Sequence, residues 1–278
     1  REVFHIGYNL DAGQLDRNYY DLLASEARMA SLVAIAKYDV PLSHWLHLGR
    51  PLTTVATGKQ ALLSWSGTMF EYLMPPLLVR HYRDTLLYAS CEAAIEHQIA
   101  YGRQKGAPWG ISESGFYAFD AGMSYQYRAF GVPGLGFKRG LGDDLVIAPY
   151  ASLLALPFRP QAVLENIKVL KGLGVWGRYG FYEAVDFTRS RLNFGQEYAI
   201  VREYMAHHQG MILLALVNLI KPEGLVDDLH QEPTIQSVEL LLQEGVPRGV
   251  PPQYPHEDET AQLLLPQRTA TADPWRVA

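Results

Sequence analysis

The chain has a single cysteine, Cys91, among 278 residues, which excludes an intrachain disulfide framework and a thiolate metal cluster. Cys91 falls within a helical pattern and is expected to be a small packed residue. Basic residues are not in excess: 24 Lys and Arg face 29 Asp and Glu, a formal net charge of −5. A polyanion selects a concentrated basic patch, so no nucleic-acid partner is expected. Long apolar runs are missing as well. The longest, Met211–Ile220, contains Asn218 and falls well short of the ~20 residues that span a bilayer. No signal peptide opens the chain, which begins with Arg rather than Met, and it is taken as a piece of a longer protein. Period-two alternation, the mark of a half-buried strand, is nowhere convincing.

What the chain does have is length for a sizeable core and an aromatic content of 12%, with 17 Tyr and five Trp. Flat aromatic faces suit sugar rings. The stretch around which the rest is organised is Pro108–Asp120, PWGISESGFYAFD. Pro108, Gly106, Gly110 and Gly115 mark it as a tight loop between helical regions. Glu113 sits there among Trp109, Ser112, Ser114, Phe116 and Tyr117, with no Lys or Arg from Ala107 to Tyr127. A carboxyl in apolar surroundings without a cation has a raised pKa, which suits a catalytic group. The bland alternative is a buried helix cap.

Helical periodicity predicts a helix over Asp16–Tyr38, with Tyr19, Leu22, Leu23, Met29, Ala30 and Val33 on one stripe. Glu26 falls on the same stripe, where a carboxylate is expected only if paired, for instance with Arg28, or used. A short helix follows over Pro41–Arg50. Its His44 and His47 lack an acidic or thiolate neighbour to complete a metal site, and packing explains them better. In SWSGTMFEYLMPP, Ser66 or Thr68 caps a helix that Pro75 and Pro76 end, with Glu71 answering the helix dipole or touching substrate. Further helices are expected over Arg83–Lys105, Ala148–Leu156, Pro160–Lys171, Tyr198–Ile220 and Thr234–Gln243. GLGVWG (Gly172–Gly177) matches a dinucleotide fingerprint by letter, but it closes a helix instead of opening one, so no nucleotide is expected. The loop WGRYGFYEAVDF repeats the character of the organising stretch, with Trp176, Tyr182, Glu183 and Asp186. His207 and His208 are adjacent and face different ways. A sugar or a carboxylate is the expected partner of one of them.

Five motifs in one order carry a resemblance: SWSGTMFEYLMP, YGRQKGAPWGISES, YQYRAFGVPGLGFKRGLGDDLVIAPYASLLAL, RYGFYEAVDFT and YMAHHQGM. From about Gly7 to Arg248 the chain resembles the glycoamylase-like domain of cyclic β-1,2-glucan synthases. The resemblance implies an all-α (α/α)6 barrel, incomplete on its N-terminal side. It also implies a domain that cleaves linear β-1,2-glucan and rejoins it into a ring with retention, using two glutamates. The implied setting is the cytoplasmic side of a larger inner-membrane bacterial synthase, whose other domains are partners, with no metal or nucleotide cofactor. An endo-β-1,2-glucan hydrolase and an inactive glucan-binding domain are the alternatives.

A retaining pair of carboxyls sits roughly 5–5.5 Å apart. The first choice is Glu113 as nucleophile and Glu26 as acid/base, with Glu71 and Glu183 in reserve. Trp65, Trp109, Tyr117, Tyr182, Asp186, His208 and Gln209 are the expected sugar contacts. The loops at Trp65, Trp109 and Trp176 should converge on one face, and Glu26 should project into a cavity. Residues 1–248 are expected to form the domain and 249–278 a proline-rich tail.

Overall fold

The computed structural model describes residues 2–221 and 224–256. Nine α-helices lie among them: α1 (Ser25–Ala36), α2 (Ser43–His47), α3 (Met69–Leu73), α4 (Leu86–Lys105), α5 (Pro149–Leu153), α6 (Pro160–Gly172), α7 (Ala206–Ile220), α8 (Leu225–Gln231) and α9 (Pro233–Gln236). Eleven strands accompany them, which overturns the expected all-α architecture. The chain is mixed α/β. Four antiparallel pairs are β1 (Tyr8–Asn9) with β2 (Gln14–Leu15), β3 (Leu52–Thr54) with β4 (Gln60–Leu62), β5 (Ser114–Phe119) with β6 (Tyr125–Arg128), and β8 (Trp176–Gly177) with β9 (Gly180–Phe181). The fifth sheet has three strands, with β10 (Ala184–Asp186) between β7 (Val146–Ile147) and β11 (Ala199–Val201). These strands are two to six residues long, too short for alternation to register against a helical background. β10 is buried on every residue, so it does not alternate at all.

The longest helix, α4, organises the core. Thr85 caps it by accepting from Tyr88 N–H, and Gly106 ends it in the left-handed conformation, at φ 65°. Its small buried residues Ser90, Ala93, Ala94 and Gly102 let neighbours approach closely. Ser90 Oγ accepts from the backbone of Leu62 in β4 at 2.9 Å. Gln98 exchanges two hydrogen bonds with the backbone of Ile111, at 2.7 and 2.8 Å, and His97 Nε2 lies 2.8 Å from the carbonyl of Pro133. One helix face therefore pins both the 107–113 loop and the glycine-rich 131–136 segment. At Gly131 a Cβ would fall 1.6 Å from the Ser66 carbonyl oxygen, so only glycine lets these two backbones touch.

Several predicted helices are shorter than expected, among them α2, α5 and α9, and two show why. α1 starts at Ser25 because Asp21 Oδ1 accepts from the backbones of Leu23 and Ala24, a side-chain turn that competes with helix. The buried face of α1 then runs through Arg28, Ser31, Leu32 and Ile35, and Glu26 is exposed. The expectation of a buried face for Glu26 is thereby corrected. Residues 199–201 pair as a strand with β10, so α7 begins only at Ala206. In the expected tail, the backbone of Gln253 donates to the Leu52 carbonyl and His256 Nε2 lies 2.8 Å from the carbonyl of Phe137. Residues 257–278 fall outside the described residues.

Candidate active site

Glu113 stands at the end of a loop that is pinned along its whole length. Trp109 exchanges backbone bonds with Asn166 and Ser152, Gly110 packs against Ser152 at φ 124°, and Gln98 holds Ile111. Ser112 Oγ accepts from Phe70 N–H at 3.0 Å and from the Tyr150 hydroxyl at 2.9 Å. The same hydroxyl reaches the Glu113 carbonyl at 2.9 Å. The backbone of Glu113 is thus fixed, while among the described residues no group donates a hydrogen bond to its carboxyl. Burial, then the charge of Glu26, then that of Glu71 push this carboxyl up to about 7. The sequence expectation of a raised pKa rested on the same cause.

Glu26 lies in the first turn of α1, where Ser25 Oγ donates to its carboxylate at 2.7 Å. It lines an open cleft of about 760 Å3 together with Tyr20, Asp21, Trp65 and Glu71. Trp65 is 66% exposed there, a flat face available to a ligand. Glu71 is placed differently. Its two oxygens accept from the backbones of Trp65, Ser66 and Thr68 and from Thr68 Oγ1, all at 3.0–3.2 Å, and Thr68 completes a capping box with it. Four donors use the full acceptor capacity of a carboxylate, so Glu71 shapes the Trp65 loop and adds negative charge beside Glu113.

The third loop brings Glu183. It is 2% exposed and His208 is 0% exposed. His208 Nδ1 sits 2.9 and 3.0 Å from the two Glu183 oxygens, and Gly115 N–H donates to Glu183 Oε1 at 3.1 Å. The Tyr150 ring stacks on the imidazole at 3.7 Å and 11°. Glu203, just after β11, lies against Gly115 and Glu183, and burial together with the charge of Glu183 raises its carboxyl. Burial, and after it the charges of Glu113, Glu183, Glu26 and Glu203, raise the phenol of Tyr127 in β6 above the ordinary value.

The three tryptophan-bearing loops therefore meet through carboxylates and not through tryptophan rings. Trp109 is buried and lines a separate groove with Arg103, Glu165 and Asn166. Trp176 is exposed beside Lys171 and Phe181. Asp186 is 0% exposed and accepts from the backbones of Tyr117 and Thr188 and from Arg191, whose other arm holds Asp144. Tyr117 lines a shallow groove with Tyr125 and Arg202. Tyr182 packs on Tyr204 under Arg202, and Gln209 holds the Phe181 carbonyl. His44 bonds Ser31 at 2.8 Å. Sequence reasoning did not single out Tyr127, Tyr150 or Glu203; the first two lie inside the longest quoted motif, and only tertiary pairing shows what each touches. Among the described residues no group of three or more His, Cys, Asp or Glu is arranged to hold a metal ion.

The cleft thus brings three carboxyls, Asp21, Glu26 and Glu71, beside the Tyr20 and Trp65 rings on a mixed α/β scaffold. Residues 18–233 match the Glycoamylase family, described as "Putative glucoamylase", and the chain belongs to that family. It is 46% identical over 280 residues to the cyclic beta-(1,2)-glucan synthase NdvB of Rhizobium meliloti (strain 1021), covering 99% of this chain and 10% of that protein. The chain thus spans about a tenth of the length of that curated relative. Among solved structures, a family-type protein from Bacteroides fragilis NCTC 9343 superposes with a TM-score of 0.62 at 19% identity, over 89% of this chain and 60% of the other. The endo-beta-1,2-glucanase of Chitinophaga pinensis, in complex with sophorotriose and glucose, superposes at 0.59 and 18% identity, over 87% and 59%. At these identities the likeness is one of fold.

Proposed function

We propose that this chain is the glucan-rearranging part of a larger synthase, that it acts on linear β-1,2-glucan, and that it closes the glucan into a ring by retaining transglycosylation. What supports the reading is the Glu113 carboxyl: its backbone is fixed, no group among the described residues donates to it, and burial, then the charges of Glu26 and Glu71 in the cleft, raise its proton affinity. The glucan assignment draws on the similarity to the Rhizobium synthase. The remaining domains of such a protein, and its place at a bacterial inner membrane, belong to the same proposal. No single helix among the described residues is long and apolar enough to cross a membrane.

The catalytic pair in this reading is Glu113 and Glu26. Their environments favour the reverse of the roles expected from sequence. Glu113 keeps a proton near neutrality, as a general acid must. Glu26 accepts from the Ser25 hydroxyl in the first turn of α1 and lines the cleft, where it is placed to attack. Glu113 gives its proton to the glycosidic oxygen as Glu26 bonds to the anomeric carbon and the leaving chain departs. Glu113 then takes a proton from a hydroxyl of the same glucan, which displaces Glu26 and closes the ring.

Incubation of the intact domain with linear β-1,2-glucan, read by mass spectrometry, tests the function. Products lacking one water are rings, linear fragments mean hydrolysis, and unchanged glucan ends the enzymatic reading. Roles are tested by azide rescue of alanine variants. The nucleophile variant yields a glycosyl azide of inverted configuration and the acid/base variant one of retained configuration.

A further inference from the structure

The buried Glu183–His208 pair is left unused by the proposed chemistry, since neither residue reaches solvent. Its geometry leads outward. The two Glu183 oxygens flank His208 Nδ1, so the imidazole proton belongs on that nitrogen and Nε2 is left as an acceptor. Tyr127 places its hydroxyl 3.4 Å from Nε2 and is 42% exposed. Gly115 N–H anchors the inner end by donating to Glu183. The stacked Tyr150 ring, whose own hydroxyl is tied to Ser112 and Glu113, stops the imidazole from turning. A buried pair of a carboxylate and a histidine costs desolvation, and here it ends on one phenol beside the candidate catalytic carboxyls.

The geometry points to Glu183 and His208 as positioning residues that lock the Tyr127 phenol, so that its oxygen accepts a hydrogen bond from a hydroxyl of the glucosyl unit at Glu113. With the phenol proton committed to His208, the oxygen presents only lone pairs to the cleft. It thereby selects a donor, which every glucose hydroxyl supplies. β5 and β6 fix the distance, because Gly115 and Tyr127 are paired residues of one hairpin. The assignment rests on the glucan reading above, and it gives Glu183 a role other than the reserve catalytic carboxyl, and His208 one other than the sugar contact, expected of them.

The test is a double-mutant cycle on linear β-1,2-glucan binding, measured by calorimetry in a Glu113→Gln background so that no turnover intervenes. Tyr127→Phe is expected to weaken binding by about tenfold, the scale of one well-placed hydrogen bond. His208→Phe is expected to weaken it similarly, and to add nothing once Tyr127 is Phe. His208→Gln, which keeps an acceptor where Nε2 lies, should restore most of the loss. Binding within twofold of the parent for Tyr127→Phe, or additive losses in the double variant, overturns the relay. If His208→Phe fails to fold, Tyr127→Phe with His208→Gln still decides the matter. No glucan binding by the parent protein would overturn the substrate reading itself, and the relay with it.

Discussion

Two loops that look alike in sequence, PWGISES and RYGFYEAVDF, end as opposites. Asp186 in the second is surrounded by donors: two backbone N–H groups and the Arg191 fork, which also binds Asp144 and stacks over Phe116. Glu113 in the first has its backbone held as firmly, and among the described residues no group donates to its carboxyl. Both carboxyls sit among glycines and aromatic rings. The difference lies in what the fold sends to meet them, and it separates a carboxylate held by donors from the one proposed for the chemistry.

The sharpest way to break the contrast is at Glu113. Glu113→Gln should lower turnover roughly 10²–10⁴-fold, the usual worth of a general acid, with glucan binding and the melting temperature preserved. Burial raises the Glu113 carboxyl above its unfolded value, so this group stabilises the fold least once pH exceeds about 7. The variant should therefore gain a little stability at alkaline pH, as thermal melting will show. A clear loss of stability with normal turnover would make Glu113 scaffold.

Asp186→Ala should do the reverse. It strands Arg191 beside Asp144, and breaking a buried pair from one side costs about 3–5 kcal/mol, read as a shift in the denaturation midpoint. Activity per folded molecule should hold. The tryptophans extend the comparison with a smaller effect. Trp65→Ala should raise KM about threefold to tenfold with kcat nearly unchanged, as expected for lost binding common to ground and transition states. Trp109→Ala should leave KM alone and lower the melting temperature, since its ring is buried away from the cleft.

The smallest expected effect is in pH. With Glu113 as acid, the rate falls as pH rises through about 7. Glu71 contributes to that raised value through its charge, so Glu71→Gln, which keeps the size of the side chain but gives up two of its four accepted hydrogen bonds, should move the alkaline limb downward. A limb that stays in place would mean that burial and Glu26 set the Glu113 proton affinity without Glu71.

The long helices were legible because their signals are local: Thr85 and Gly106 bracket α4, Thr68 with Glu71 forms the capping box of α3, and Pro160 opens α6. The strands were not, since β7, β10 and β11 owe their conformation to one another across dozens of residues, a pairing no short window records. Glu26 was misplaced for a related reason. One Asp21 turn shifts the start of α1 and rotates its buried face away from the periodic stripe.

Sequence alone determined that no Lys or Arg stands near Glu113 along the chain, that its loop is tight, and that the chain shares five ordered motifs with glucan synthases. Those properties depend on neighbours in the chain and on residue chemistry. Tertiary structure decided which carboxyls are spent: Glu71 on a cap, Asp186 on Arg191, Glu183 on His208. Hydrogen bonds to a carboxylate are short-ranged and directional, so the donors that claim or spare each one are assigned only when distant loops are brought within 3 Å or so of each other.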